Sequence, residues 1–275
     1  MHIIMNQDTL INTQDMSRTY HQIYLKSFRN LLSQLVLLFI LVESKLIELK
    51  IDNFVSLRDD ISIESSSQLL YRLNLLNTSP LYIYINSPGG DVIAGLEIIN
   101  YIKSLQERNI EINCICHNAM SMAFTIFQYC SNRYILHAST LMQHQMSIQV
   151  KGKLYDINSR MKYYNIIEND INLYQAARLK MSIVDFTKKI QNDYWLYSSE
   201  IIHAHAADEI VSIFCTFVDS TEMINTTTLF GEINTVYSSC PIINYPIKII
   251  FPSLFSEANK KEFINSKIQM KPIMT

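Results

Sequence analysis

Ser121, His144 and Asp193 follow one another in the order nucleophile, base and orienting acid, and a glycine pair, Gly89-Gly90, precedes them. A serine hydroxyl is a weak nucleophile until a neighbouring base takes its proton, and the oxyanion formed on attack needs donors close by. Ser121 falls in a turn between a strand-like run and a helix-like run, where a helix start offers unpaired N–H groups and partial positive charge. His144 stands at the end of a short strand pattern and Asp193 in an aromatic loop. Each has a plainer role when taken singly. A serine before a helix is usually an N-cap, a single histidine is usually structural, and a loop aspartate commonly forms a turn. Together they point to acyl transfer.

The element that must position them is Leu81 to Gly95, LYIYINSPGGDVIAG, which holds three of the chain's five glycines. It reads as a buried strand, apolar on both faces, running through a glycine turn into a helix. Gly-Gly alone fits an ordinary strand-to-helix turn better than a donor loop. Glycine used so sparingly elsewhere nevertheless suits a turn where backbone must approach something closely.

Periodicity fills in the neighbours. A strand over Phe54–Asp60 and a helix over Glu64–Leu76, with Leu69, Leu70, Leu73 and Leu76 on one face, precede the central unit. A helix to Gln106 and a strand from Ile110 ending at His117 follow it, then a helix through Met122, Phe124 and Phe127. Strands over Arg133–Leu136 and Thr140–Gln143 lead to His144. A long helix over Asp156–Lys180 has Ile157, Met161, Tyr164, Ile167, Ile171 and Tyr174 spaced by three or four, and a shorter one covers Ile183–Gln191. This alternation predicts a parallel α/β layer structure with its site at the carboxyl ends of the strands. Beyond Ser212, prolines interrupt short apolar runs, which predicts a loosely ordered extension or a small β-rich appendage.

Composition excludes several classes. With 48% apolar residues the chain can bury a sizeable core, and a net charge of −2 gives no electrostatic grip on nucleic acid. The longest apolar run, Leu31 to Val42, is too short to span a bilayer unaided, so no stable membrane span is expected. Five cysteines without a CxxC pair predict a reduced compartment, no disulfide framework and no zinc site. His203 and His205, two apart on a helix, point to different sides and make no metal pair. No cofactor is implied, and nothing resembles a phosphate-binding loop. Heavy use of Ile, Asn, Tyr and Lys suggests an AT-rich organelle or reduced genome.

NSPGG (Asn86–Gly90), MSMA around Ser121, MQHQ around His144, GKLYDI (Gly152–Ile157) and DYWLYSSE from Asp193 resemble, in order and distance, the Clp protease proteolytic subunit family, ClpP. The resemblance runs from about Phe54 to Val211 and implies a crotonase-like α/β spiral of strand-strand-helix units with a protruding handle helix, Asp156–Lys180. Residues 53–212 would be the peptidase core, 1–52 a divergent N-terminal segment and 213–275 a C-terminal extension. The family's pattern assigns Ser121 as nucleophile, His144 as general base and Asp193 as orienting acid. It assigns the backbone N–H groups of Gly90 and Met122 to the oxyanion hole. It also implies heptameric rings of Clp subunits paired into a tetradecamer, an AAA+ chaperone ATPase as partner, and unfolded polypeptides as substrates. A faint likeness of Tyr20–Leu32 to plastid members, with Ser33–Ile51 as an insertion, suggests the chloroplast stroma, with a bacterial-type cytoplasm as the alternative.

The chain departs from the family at Met120 and Ala123, where small residue and glycine are usual, and at Met146, where proline is usual. Gln191 and Asn192 replace the acidic residue and arginine that couple ring pairing to activity, and His205-Ala206-Ala207-Asp208 replaces Gly-Leu-Val-Asp. These departures motivate a second reading, a structural ring subunit that has lost activity. A third, an acyl-CoA enzyme of the same fold, would make the serine, histidine and aspartate positions coincidental.

Overall fold

A strand that is apolar on both faces needs a layer on each side. In the computed structural model, which describes residues 44–58, 60–217, 220–229, 231–243 and 245–268, β3 (Leu81–Ser87) has both. Leu81, Ile83 and Ile85 pack into the main core, and Tyr84 faces a second cluster with Ile47, Leu49, Ile115, Tyr134 and Val211. The expectations for Tyr20–Leu32 and for the apolar run Leu31–Val42 lie outside the described residues.

Seven strands form the main sheet in the order β1 (Lys45–Leu49), β7 (Glu209–Cys215), β5 (Asn132–Gln143), β4 (Ile112–Met120), β3 and β2 (Phe54–Arg58), with β6 (Tyr194–Tyr197) off this path beside β5. All pairings are parallel except that of β6 with β5. The parallel α/β expectation holds. The strand β1 precedes the residue at which the core was expected to begin. Among the described residues no helix is long and apolar enough to cross a membrane.

Helices α1 (Ile63–Leu75), α2 (Val92–Glu107) and α3 (Met122–Gln128) cover the main core. Ser62 opens α1 through a reciprocal cap with Ser65, and Leu69 and Leu73 turn inward. Asp91 caps α2 by accepting the Ala94 N–H at 2.8 Å, which frees Ala94, Ile98, Ile99, Ile102 and Leu105 to fill the interior.

Four expectations need correction. Strand β4 does not stop at His117 but runs to Met120, and the two strands expected at 133–136 and 140–143 are one strand, β5. Both carry an irregularity, with Cys116 opposite Ile135 and Asn118 opposite Thr140. Ser139, fully buried, stitches it by accepting the Leu136 N–H and donating to the Cys116 carbonyl at 2.6 Å. A bulge breaks the period of two that sequence reading depends on.

The long helix α4 (Leu154–Arg178) forms, but its apolar spacing does not mark a buried face. Met161 is exposed, Ile157, Tyr164, Ile167 and Tyr174 are half-buried, and the inward set is Ile171, Asn172, Gln175 and Ala176 near the C-terminal end. The N-terminal half is therefore largely uncovered. Helix α5 (Ile183–Ile190) follows, buried through Phe186 and Ile190.

The expectation of no disulfides is also overturned. Cys114 pairs with Cys130 and Cys215 with Cys240, at Cα separations of 5.8 and 5.9 Å. The partners are 16 and 25 residues apart and meet only through the fold, so no short motif announces them. Cys116 keeps a free, buried thiol whose burial pushes its pKa well up.

Residues past β7 are β-rich: β8 (Thr221–Thr228), β9 (Gly231–Ser238) and β10 (Lys248–Ile250) form an antiparallel sheet, and α7 (Glu257–Ile268) follows. Pro241 and Pro246 fall between β9 and β10 and Pro252 just after β10, where a missing N–H breaks no ladder. Short α6 (Ser199–His203) connects β6 to β7.

The start of β5 is clamped to β7 by Arg133 and Asp208. The guanidinium donates to both carboxylate oxygens, at 2.5 Å from Nη2 and 3.1 Å from Nε, and Arg133 is almost fully buried. Its Nη1 also donates to Gln128 Oε1 and to the His205 carbonyl. Burial alone would raise the Asp208 pKa; the bonds and charge of Arg133, with Arg178 at 3.9 Å, outweigh it and hold the carboxyl below its ordinary 3.8. A carboxyl depressed on folding adds stability above its unfolded value and loses it as pH falls through the folded one. Asp208→Asn should lower stability near neutral pH by about 1 kcal/mol, since Asp208 is part-exposed and screened. In thermal unfolding the gap to wild type should close as pH falls below 3.8. A gap independent of pH would contradict this.

Candidate active site

Strand β4 ends at Met120, and the chain turns into α3 through Ser121 at φ +52°, ψ −122°. A non-glycine residue there costs roughly 1–3 kcal/mol and persists only where its surroundings hold it. The Ser121 N–H donates to the Met142 carbonyl on β5 at 2.9 Å, and its own carbonyl accepts the Thr125 N–H that opens the helix. The side chain makes no cap bond to α3, so the plainer N-cap role does not apply. Instead Oγ lies 2.9 Å from Nε2 of His144, one residue beyond β5. The sheet brings them together because β4 and β5 are neighbours that end at the same level.

The glycine turn sits directly against this joint. Gly89 has φ +98°, and a methyl group on it would meet the Met120 carbonyl at 2.6 Å and Ser121 Cβ at 2.8 Å. Gly90, at φ +145°, leans on the backbone of Ile61 in the same way. The parallel bridge between Ile61 and Gly90 uses the N–H groups of Ile61 and Asp91 and leaves that of Gly90 unused. Met122 is the first residue of α3, where an N–H has no partner inside the helix. Gly90, Ser121, Met122 and His144 line one pocket of about 170 Å³. A larger cleft of about 600 Å³, between β2, α1 and β8–β9, contains none of these four and has no comparable pairing.

Asp193 is not brought into contact with His144. It is exposed and makes no bond to the imidazole. Its position is nonetheless close in register: the β5–β6 ladder ends with Gln143 opposite Tyr194, so Asp193 stands one step further, opposite His144. A carboxylate there is better solvated by water than by a half-buried ring, which accounts for its outward placement.

Behind the pair lies a buried polar cluster that sequence reading missed. Gln143 Nε2 donates to Gln175 Oε1 at 2.6 Å and to Thr125 Oγ1 at 3.1 Å, and Gln143 Oε1 accepts the His144 N–H at 3.2 Å. Gln175 Nε2 in turn donates to the Ile171 carbonyl. The cluster ties the serine's helix, the histidine's strand and α4 together, all three side chains being at most 4% exposed. The available signal was Gln175 four residues after Ile171, a polar residue on an inward helix face. Losing one partner of a buried bond strands the other, at about 1–3 kcal/mol. Gln143→Leu and Gln175→Leu should each destabilise by that amount in chemical unfolding, and the double variant by at least about 0.5 kcal/mol less than their sum. Strict additivity would show that the cluster does not act as a unit.

Comparison with known proteins identifies the family. The Clp protease family matches residues 39–213. The ATP-dependent Clp protease proteolytic subunit 2 of Nocardia farcinica is 26% identical over 160 residues, covering 56% of this chain and 76% of the relative. That of Prochlorococcus marinus is 29% identical over 156 residues, with the same coverage. The ATP-dependent Clp protease proteolytic subunit of Cyanophora paradoxa is 27% identical over 161 residues, covering 57% and 81%. A match across more than half the chain, carried by a largely parallel α/β body, makes this protein a member of the Clp protease family.

Proposed function

We propose that this chain is a serine endopeptidase subunit of an ATP-dependent Clp complex, with Ser121 as nucleophile and His144 as base. The observation that carries the reading is the 2.9 Å contact between Ser121 Oγ and His144 Nε2, beside two backbone N–H groups on one pocket. With its proton on Nδ1, His144 takes the serine proton as Oγ attacks the scissile carbonyl carbon. The N–H groups of Gly90 and Met122 receive the oxyanion. The C–N bond then breaks, His144 passes its proton to the leaving amine, and water attacks the serine ester, giving a proton to His144 and returning the serine hydroxyl. Asp193, opposite His144 in register, is the acid that orients the ring once its carboxylate turns inward.

Family membership supports assembly with other Clp subunits in heptameric rings, an AAA+ chaperone to unfold the substrates, and unfolded polypeptides as the material cut. Relatives in Cyanophora paradoxa and Prochlorococcus marinus, with an amino-acid usage of the kind that AT-rich codons give, support a plastid location. The structural-subunit reading draws on Asp193, which faces solvent, and on Met120 and Ala123 flanking the turn.

The deciding experiment is hydrolysis of a short fluorogenic peptide, which needs no unfoldase, by assembled rings. Wild type should cleave it, Ser121→Ala should abolish cleavage, and Asp193→Asn should lower kcat by on the order of 10²–10⁴. Rings of confirmed size without activity in the wild type would select the structural subunit.

A further inference from the structure

We propose that Glu168 gives this site a preference for substrates carrying a cationic side chain on the acyl side of the bond cut; the inference rests on the peptidase reading. On α4, Glu168, Ile171, Asn172 and Gln175 recur at spacings of three, four and seven and so share one face. Glu168, Ile171 and Asn172 line the same pocket as Ser121 and His144. The other walls include Val92, Met122 and Met146. Branched and thioether side chains of this kind suit an aliphatic stem. At about 170 Å³ the pocket has room for one side chain.

Glu168 supplies the only carboxylate on this wall, and no lysine or arginine lines the pocket. One of its oxygens, Oε1, accepts the Met146 N–H at 2.9 Å, which holds the carboxylate against the segment following His144. Among the described residues Glu168 forms no ion pair. A lysine stem laid over Met122 and Ile171 would bring its ammonium to a fixed, unneutralised charge. A leucine or norleucine would fill the same apolar walls and leave that charge facing an alkyl end. Glu168 is half-buried, so the attraction is moderated by water and salt.

The test uses assembled full-length protein and two fluorogenic peptides that differ only in lysine or norleucine before the scissile bond. Glu168→Gln keeps an oxygen for the Met146 N–H and removes only the charge. Wild type should favour the lysine peptide in kcat/KM. That ratio should fall about fivefold in Glu168→Gln, and also in wild type at high salt. A wild type that cleaves norleucine as well or better, with a ratio unmoved in Glu168→Gln, overturns the preference and leaves the peptidase reading standing; Glu168 would then only pin the loop. Wild-type rings that cleave neither peptide overturn both.

Discussion

The constraint on which the site depends is the space between Gly89 and the Met120–Met122 backbone. A single methyl group at Gly89 would meet a carbonyl oxygen and the β-carbon of Ser121. Because the turn can come this close, β3 can end beside β4, and the strand-to-helix joint can hold Ser121 in a conformation that a free chain avoids. The strain is sustained by the bond to Met142 on one side and the first helical bond of α3 on the other. Both depend on β4 and β5 finishing together, which the stitched bulge at Ser139 allows.

Polar and apolar contributions divide by position. The body is held by dry contacts between the sheet and the helices α1, α2 and α3. Buried polar groups are concentrated where exact placement counts: Arg133 with Asp208 at the base of β5, and Gln143 with Thr125 and Gln175 behind the reacting pair. Both clusters place bonds where an apolar core would leave sliding freedom, and both join elements distant in sequence.

Much of this was legible because the relevant signals are short in range. The apolar alternation of Leu81–Ile85, the glycine pair and the helices before and after them follow from local geometry, and Ser121 and His144 fall at the ends of elements that such signals delimit. What escaped depends on contacts that form only in three dimensions. The bulge merges two strand patterns into one, and the apolar spacing of α4 suggests a buried face where half the helix has no body against it. Cysteine pairing and the glutamine cluster link residues tens of positions apart. The placement of Asp193 turns on side-chain solvation, to which periodicity is blind.

The ladder between β5 and β6 stops one rung short of His144. That leaves the imidazole just past a four-residue clip, and the segment beyond it is tied by the Gln145 N–H to the Ile190 carbonyl at the end of α5. Ser121 shares that support, since its N–H is held by the Met142 carbonyl two residues before the imidazole. The two members of the pair are thus carried on one strand end, so that a shift of β5 moves both rather than opening the distance between them.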